Sequence, residues 1–360
     1  MPTTVTKSIG SAGGRDYASI TSWEAQNLDL VTLDQLQTAL LYNDSVFVEY
    51  VTIAGWTVDA TRYIKVQAAD ATQEHALVRG SGVLVSPADA SVSITVITSS
   101  MAYTVHEGYS IGDFTLTNSG ATSVSAKGLS PDGISNNLKR MMFYAIHNVH
   151  SSTGNGHVLG VNPITSSMPT IENCVAFDLV NSGGGSGIGI VTAFATQRNA
   201  GSGSFGAIRN CTAFTCVGTQ VANAIMFVGT SAQIENNLCF GTTAVCFSVG
   251  TSSTANNNTS SDATAPGTNA VINATASDYF ADVGSGTEDP TLKAGSPAID
   301  TGADLSALFT TDAKGTTRPQ GAAWDRGAHE ASTGHPAIRR FGGCQFVRDI
   351  PIGVEGIRVY

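Results

Sequence analysis

The sequence predicts an all-β chain wound as a parallel β-solenoid, and three observations support this fold class. Charged residues make up only 13% of the chain, while 39 of its 360 residues are glycine, which is a composition of turns and polar strands rather than of helical bundles. The hydrophobic share of 42% is high enough to form a buried core, so the composition excludes a disordered chain. The third observation, an internal repeat, indicates how the strands are connected.

The repeat is a seven-residue phrase that begins at Ile171, Ile208 and Ile234, with a weaker copy at Thr254. The starts are 37, 26 and 20 residues apart, a spacing too irregular for helical repeats. It is typical of a coil with fixed strands and loops of variable length. In such a coil each phrase supplies part of one rung, and equivalent residues of neighbouring rungs lie about 4.8 Å apart.

Three columns of equivalent residues follow from this alignment. The first is a turn asparagine that tolerates a left-handed backbone and can bond to the next rung: Asn173, Asn210, Asn236 and Asn256. The second is an aromatic column, which we expect to stack inside the core: Phe177, Phe214 and Phe240. The third alternates in charge and is expected on the outer face, where it adds little stability: Glu172, Arg209 and Glu235.

The repeat resembles that of right-handed parallel β-helix proteins of the pectate-lyase-like class. On this resemblance we expect a right-handed parallel β-helix over residues 45–285. A β-sandwich is the competing all-β fold. It would show frequent Asn-Gly or Asp-Gly hairpin turns, and such turns, of which Asp132-Gly133 is an example, are scarce in this sequence.

Residues 1–44 are predicted to form an N-terminal cap with short helices. Capping boxes at Thr21–Glu24 and Thr32–Gln35 indicate two helix starts. The phrase from Ser8 to Glu24 is similar to the opening of many phage-associated and bacterial β-helix proteins. Behind the second box, one helical face would carry three leucines: Leu33, Leu36 and Leu40.

Residues 286–330 are predicted to close the solenoid. The phrases Ser296–Gly302, Arg318-Pro319 and Asp325–Glu330 closely resemble the closing segment of right-handed β-helix repeat proteins. That family usually has an aliphatic residue where this chain has Arg326, and an aromatic residue three positions later. The motif occurs in proteins of many roles, so the resemblance implies a fold and no particular chemistry.

Residues 331–360, hereafter the arm, are predicted to form an extended C-terminal docking arm. The segment is too apolar to remain unpacked and too short to be a domain, and it carries an excess of two positive charges. It resembles the C-termini of some phage virion proteins. We expect it to dock on its own solenoid or on a neighbour through Arg339, Arg340, Phe341, Arg348 and Arg358.

The sequence indicates no catalytic cluster. The resemblance implies that lyases on this fold need clustered acids for calcium together with an Arg or Lys base, and hydrolases need two or three carboxylates. Between residues 100 and 285 the acids are sparse and form no Asp-x-Asp or Asp-Asp phrase. A cluster could still assemble across rungs. We therefore assign no catalytic residue, with a polysaccharide lyase or glycoside hydrolase as the alternative.

No metal site or cofactor is expected. His147 and His150 are three residues apart, so they would point to opposite faces of a strand. Cys174 and Cys211 share a repeat position. Their spacing would permit a disulfide, but we expect stacked buried thiols. Four acids near the end of the chain match no EF-hand loop and are expected at turns: Asp300, Asp304, Asp312 and Asp325.

The charge and the hydropathy pattern limit the partners. A net charge of −10 argues against nucleic acid, which would need a basic face. The first residues contain no apolar signal-like region, and no apolar run is long enough for a membrane span. We therefore expect a protein made in a cytoplasm that binds neither nucleic acid nor membrane.

Three functional hypotheses remain. The first is a non-enzymatic virion component of a bacteriophage: a head decoration, head fibre, or tail spike or fibre protein. Its partners would be other virion proteins or copies of itself, with a host-surface glycan as a further ligand and a homotrimer as a plausible assembly. The second is a polysaccharide depolymerase on the same fold. The third is a bacterial extracellular adhesive or filament protein.

Overall fold

Three long parallel β-sheets make up most of the chain in its computed structural model. The structure describes residues 1–118, 123–133, 135–150, 156–163, 169–182, 189–196, 206–218, 224–228, 232–241, 245–250, 253–332, 339–341 and 344–346. The strands, numbered along the chain, are β1 (Thr3–Ile9), β2 (Gln35–Leu41), β3 (Val51–Ile53), β4 (Ile64–Ala68), β5 (Leu84–Val85), β6 (Ile94–Ser99), β7 (Thr104–Glu107), β8 (Ser110–Asn118), β9 (Val124–Pro131), β10 (Asn137–Lys139), β11 (Met142–His150), β12 (Gly156–Val161), β13 (Thr170–Glu172), β14 (Val175–Asn181), β15 (Gly189–Ala195), β16 (Ala207–Arg209), β17 (Thr212–Cys216), β18 (Ala224–Val228), β19 (Gln233–Glu235), β20 (Leu238–Gly241), β21 (Val245–Val249), β22 (Thr254–Asn256), β23 (Thr259–Ser260), β24 (Phe280–Asp282), β25 (Asp289–Leu292), β26 (Arg339–Phe341) and β27 (Cys344–Phe346).

These strands form a parallel β-helix, which confirms the predicted fold class. One sheet has nine strands in the order β1-β2-β4-β7-β10-β13-β16-β19-β22, hereafter the nine-stranded sheet. A second, hereafter the covered sheet, runs β5-β8-β11-β14-β17-β20-β23, and the third runs β3-β6-β9-β12-β15-β18-β21. From β4 to β21 each rung contributes one strand to each sheet. For example, β13, β14 and β15 pair in parallel with β16, β17 and β18 of the next rung.

This topology excludes the β-sandwich. Among the described strands, antiparallel pairing joins only β24 to β25 and β26 to β27, both outside the coil formed by β1 to β23. The interior of the coil is built from columns of apolar residues that alternate along each strand with outward-facing ones. In the nine-stranded sheet the inward column includes Val66, Leu138, Ile171, Ile208 and Ile234, all of them buried.

The coil starts at Thr3 rather than at residue 45, because β1 and β2 already belong to the nine-stranded sheet. The helix expected behind the second capping box is wrong in its extent. Helix α2 (Leu30–Leu33) has one turn, Asp34 then adopts a left-handed φ of 51°, and the chain continues as β2. Leu36 and Leu40 therefore lie on a strand, where pairing with β1 and β4 overrides their helical spacing.

Short helices do form the N-terminal cap. Helix α1 (Ile20–Glu24) is capped by Ser19, which exchanges hydrogen bonds with Ser22, so the capping box starts two residues before the predicted one. The carboxylate of Glu49 accepts hydrogen bonds from the first two N–H groups of the helix. Trp23 packs on Trp56 with 5.2 Å between ring centroids. The cap therefore fills the first turn of the coil with buried aromatic side chains.

After β23 the chain makes a further partial rung, in which Thr268 and Val271 bridge in parallel to Asn256 and Thr259, and it then turns back along the flank of the coil. Helix α3 (Ala276–Tyr279) and the β24–β25 pair begin this return, and residues 276–330, hereafter the closing segment, lie against the outer face of the covered sheet. None of the three helices in the described part of the chain is long and apolar enough to cross a membrane. The closing segment is thus a lateral cover and not a plug over the open end.

One interior residue makes the stability of the coil sensitive to acid. His106 of β7 is fully buried, and its Nδ1 lies 2.7 Å from the Tyr109 hydroxyl oxygen. Burial lowers the pKa of His106 from 6.5 to about 4, because the interior disfavours the charged ring. Below pH 6.5 the unfolded chain therefore binds a proton that the folded chain does not. We predict that the free energy of unfolding falls as the pH drops from about 6.5 to about 4, by about 3 kcal/mol from this residue.

Denaturant unfolding at several pH values measures this effect. His106→Asn should flatten the fall in stability below pH 6.5, while wild type and variant should run parallel above it. His75 and His329, whose pKa values burial also lowers to about 4, should retain part of the slope in the variant. Identical slopes for the two proteins across the whole range would contradict the assignment.

Candidate functional site

The surface where the closing segment lies on the covered sheet, hereafter the seam, contains an aromatic ladder. Tyr144, Phe177, Phe214 and Phe280 follow one another at centroid distances of 5.6, 5.6 and 4.7 Å, and Phe240 lies 5.3 Å from Phe280. Phe177 and Phe214 are in ring contact as predicted, whereas Phe240 contacts Phe280 edge-on. The predicted place of these rings inside the coil is wrong. These rings face outward from the covered sheet, and the strand residues that alternate with them face the interior.

The asparagine column borders the seam. Asn173, Asn210 and Asn236 have left-handed φ values of 53, 47 and 58°, as predicted for turn asparagines. The fourth member is Asn257, with a φ of 53°, and not Asn256. Asn256 pairs with Glu235 at the end of β22, so the weak fourth repeat is shifted by one residue from the predicted alignment.

The asparagine side chains bond mainly to the closing segment. The amide of Asn173 donates to the carbonyl of Thr311, and that of Asn210 donates to the carbonyls of Asp325 and Gly327. Asn257 donates to Thr301. Asparagine side chains also link rungs, from Asn236 to the Asn210 side-chain oxygen at 3.1 Å and from Asn269 of the next partial rung to the Asn257 side-chain oxygen at 3.2 Å. The column therefore joins four rungs to the cover.

Asn236 makes the most complete of these contacts. Its Nδ2 donates to the carbonyl of Ala303 at 2.8 Å, and its Oδ1 accepts from the Ala303 N–H at 2.7 Å. Its own carbonyl accepts from the N–H of Gly327 at 2.6 Å. A Cβ on Gly327 would lie 2.6 Å from the Leu238 side chain, and the glycine also has a φ of 88°. Only glycine allows the closing segment to approach the coil this closely.

A buried ion pair holds the closing segment in shape. Arg318 and Glu330 have no exposed side-chain surface, and Arg318 Nη1 lies 2.8 Å from Glu330 Oε2. Arg318 Nη2 also donates to Asn173 Oδ1 and to the carbonyl of Gly327. The carboxylate of Asp325 accepts the N–H groups of Asp300 and Ala331, and burial raises its pKa to about 6. Polar residues of the closing phrases thus form one buried network.

A second charged cluster, hereafter the Arg79 cluster, lies at the edge of the seam. Arg79 Nη2 lies 2.6 Å from Asp178 Oδ2 and 2.9 Å from Glu288 Oε2. His147 Nε2 lies 3.0 Å from the other oxygen of Asp178. The guanidinium carbon of Arg79 stands 5.5 Å above the ring of Tyr144. Four distant parts of the sequence meet here. This agrees with the expectation that acids from different rungs could assemble into a cluster.

The chemistry of the Arg79 cluster favours a structural link over catalysis. The hydrogen bonds from His147 and Arg79 outweigh burial and lower the pKa of Asp178, although burial itself is the largest single influence. Asp178 therefore stays ionised at neutral pH and is unsuited to be a proton donor. The side chain of Glu288 has no exposed surface, so solvent and substrate do not reach it. Arg79 thus bridges two carboxylates of the coil and the cover.

The outer charge column of the nine-stranded sheet is present as predicted. Arg209 Nη1 lies 3.0 Å from Glu172 Oε1, and Arg209 Nε lies 3.4 Å from Glu235 Oε2. Glu172 and Arg209 are nevertheless buried, at 5 and 9% exposure. The column is therefore not the exposed ladder that we expected, and removing one partner would leave the other charge buried and unpaired.

The remaining predicted positions have structural partners or lie outside the described residues. Asp300, Asp304 and Asp312 each accept backbone N–H groups, as Asp325 does. Within the described residues, no group of three or more His, Cys, Asp or Glu side chains could hold a metal ion. Cys174 and Cys211 are buried free thiols. Of the docking residues, Arg339, Arg340 and Phe341 form β26, and Arg348 and Arg358 lie outside the described residues.

A shallow groove on the outer face of the nine-stranded sheet is a further candidate site, which the sequence did not reveal. It has a volume of about 320 Å³, and its walls include Tyr63, Lys65, Tyr103, Glu107 and Lys139. The two tyrosines precede β4 and β7 at equivalent positions, one rung apart. No repeated phrase marks these early rungs, so nothing in the sequence indicated that their side chains would align.

The buried ion pair predicts a large effect of substitution. Arg318→Met leaves Glu330 charged and unpaired in a fully buried position, so we predict a loss of about 3–5 kcal/mol in the free energy of unfolding. Arg62→Met is the matched control, because Arg62 and Asp59 form an ion pair with 28 and 35% side-chain exposure, and its loss should cost less than about 1 kcal/mol. Denaturant unfolding measures both. Equal losses for the two variants would refute the role given to Arg318.

The asparagine column predicts a graded effect at Asn236. Asn236→Gly keeps the left-handed backbone but removes both bonds to Ala303 and the bond to Asn210, which together should cost about 3 kcal/mol. Asn236→Ala should cost about 1 kcal/mol more, because alanine disfavours that backbone conformation. Asn256→Ala, one position from the column, is the control and should change stability by less than about 1 kcal/mol. If Asn256→Ala lowered the free energy of unfolding as much as Asn236→Ala does, the fourth member of the column would be Asn256, as the sequence predicted.

Comparison with known proteins adds no relative to this description. No family model, no curated protein and no solved structure matches the chain. The functional argument therefore rests on the fold, on the contacts of the seam, and on the phrases of the sequence that resemble β-helix proteins.

Proposed function

We propose that this chain is a non-enzymatic structural component of a bacteriophage virion, such as a head decoration, head fibre, or tail spike or fibre protein. One observation supports a structural rather than an enzymatic role: the buried charged side chains pair with one another and so hold parts of the fold together. Arg79 joins a carboxylate of the coil to one of the cover, and Arg209 joins carboxylates of different rungs. Arg318 pairs with Glu330 inside the cover and also donates to Asn173 of the coil. The phage origin is supported by the resemblance of the opening phrase and of the arm to phage-associated proteins.

The architecture suits a rigid part exposed to stress. In a solenoid each rung contacts only its neighbours, so the rod frays from its ends. Here the closing segment contacts Asn173 and also Asn257, which lie three rungs apart along the asparagine column. Fraying of the last rungs would therefore break contacts with the cover as well. A protein that must persist outside a cell benefits from such coupling.

Glycan binding is a second candidate function, favoured by the groove on the nine-stranded sheet. Tyrosine rings offer flat apolar surfaces with a polar end, and Lys65, Lys139 and Glu107 supply charged hydrogen-bonding groups. This combination fits a host-surface sugar chain that lies across several rungs. The groove would then bind the host glycan without catalysing a reaction. A homotrimer of the chain would present several such grooves.

The location of the protein tests the main proposal. Mass spectrometry and immunogold electron microscopy of purified particles, from the phage whose genome encodes the chain, should detect it in the virion at a fixed copy number. Its presence on the surface of cells grown without phage, and its absence from particles, would instead indicate the bacterial extracellular filament. Release of reducing ends or unsaturated uronates from host capsule or lipopolysaccharide would indicate the depolymerase.

The groove predicts a specific loss of glycan affinity. Tyr63→Ala combined with Lys139→Ala should weaken binding to host-surface polysaccharide about tenfold or more, since one aromatic and one charged contact together exceed 1.4 kcal/mol. Val92→Ser, a change at an exposed valine outside the groove, should leave binding unchanged. Isothermal titration with the isolated polysaccharide measures both. Unaltered affinity in the double variant would exclude the groove as the binding site.

A further inference from the structure

An apolar pocket lies at the root of the arm. It has a volume of about 500 Å³, and its lining includes Leu292, Ala294, Ile299, His329, Ala331 and Ser332. The imidazole Nδ1 of His329 accepts the Leu292 N–H at 3.1 Å and so is already engaged. Burial lowers the pKa of His329 to about 4, which leaves the ring neutral at physiological pH. The pocket therefore offers mainly an apolar lining.

The course of the chain indicates what can reach this pocket. Ala331 and Ser332 are the first two residues of the arm and form part of the lining, so the rest of the arm starts at the rim. The sequence continues for 28 residues beyond Ser332. These residues are rich in large apolar side chains, among them Phe341, Phe346 and Ile350. A segment tethered at the rim has a high effective concentration at the pocket.

Charge favours the same occupant. The arm contains four arginines against one Asp and one Glu, so it carries a net charge of +2, while the chain as a whole carries −10. Residues 1–330 therefore carry −12. The pocket lining contains one basic and one acidic residue, Lys293 and Asp300, so the attraction comes from the acidic body as a whole. A basic, apolar segment is attracted to a strongly acidic body. Because this attraction is stronger at shorter distance, it favours the arm of the same chain, which starts at the rim of the pocket.

We infer that this pocket is the docking site of the arm of the same chain, with apolar side chains around Phe341 filling it. The arm then covers the root of the closing segment as the closing segment covers the coil. This docking goes beyond the proposed virion role and does not depend on it.

The native cysteines make a direct test possible in the full chain. Cys174, Cys211, Cys216, Cys239 and Cys246 are buried, which leaves Cys344 of the arm for selective chemistry. Ala294→Cys places a thiol at an exposed position in the pocket lining. With Cys344 retained, oxidation or a short bis-maleimide should join residues 294 and 344 within one chain, giving a cross-linked monomer on a denaturing gel. A cross-linked dimer, or no cross-link, would overturn the proposal.

A second measurement separates pocket occupancy from mere proximity. In a Cys344→Ser background, Cys at position 294 should react with a maleimide about tenfold faster when Phe341 and Phe346 are both replaced by serine, because the arm no longer protects the pocket. Thr6→Cys in β1, at the far end of the coil, is the control and should react at the same rate with either arm. Lys293→Cys provides a second position in the pocket if the first variant folds poorly. Equal reactivity with both arms would refute docking.

Discussion

The covered sheet is apolar on both faces, and the rest of the structure depends on this constraint. Along β11 and β14, Phe143 and Ala176 face the coil interior, while Tyr144 and Phe177 face outward. A sheet that is apolar on both faces must be covered by another layer. The chain supplies this layer twice. The loop between β4 and β5 brings in Leu77, and the closing segment brings in its own apolar residues.

The cover creates a second requirement, because it takes backbone and charged groups out of water. Buried polar groups need partners, and the turn asparagines provide them along the border of the seam. Asn236 satisfies both the N–H and the carbonyl of Ala303. Buried charged groups need partners for the same reason. Arg79 and Arg318 each contact a carboxylate whose side chain has no exposed surface, so each cation compensates a group that would otherwise destabilise the fold.

The parts of the structure that the sequence predicted are those set by local repetition. Equivalent positions recur with the rungs, so the asparagine column and the alternating charges could be aligned from sequence. The alignment failed at Asn256, where three consecutive asparagines made the register ambiguous. Alternation along a strand shows that Phe177 faces one side, but it does not show which side a distant segment covers. The Arg79 cluster joins residues 99 and 209 positions apart, a separation that leaves no local signal. At Leu36 and Leu40, two neighbouring strands decide the conformation against the helical spacing.

The path of the closing segment explains why a lateral cover can serve as an end cap. The chain contacts Asn257 through Thr301 and Asn236 through Ala303, and reaches Asn173 through Thr311. It therefore runs backward along the coil, and its next part returns toward the later rungs. Each rung under it is stabilised both by its neighbouring rungs and by the closing segment, which crosses several rungs. Opening the last rung then disturbs contacts that earlier rungs share, so the nearest-neighbour stability of a simple solenoid becomes a more cooperative one.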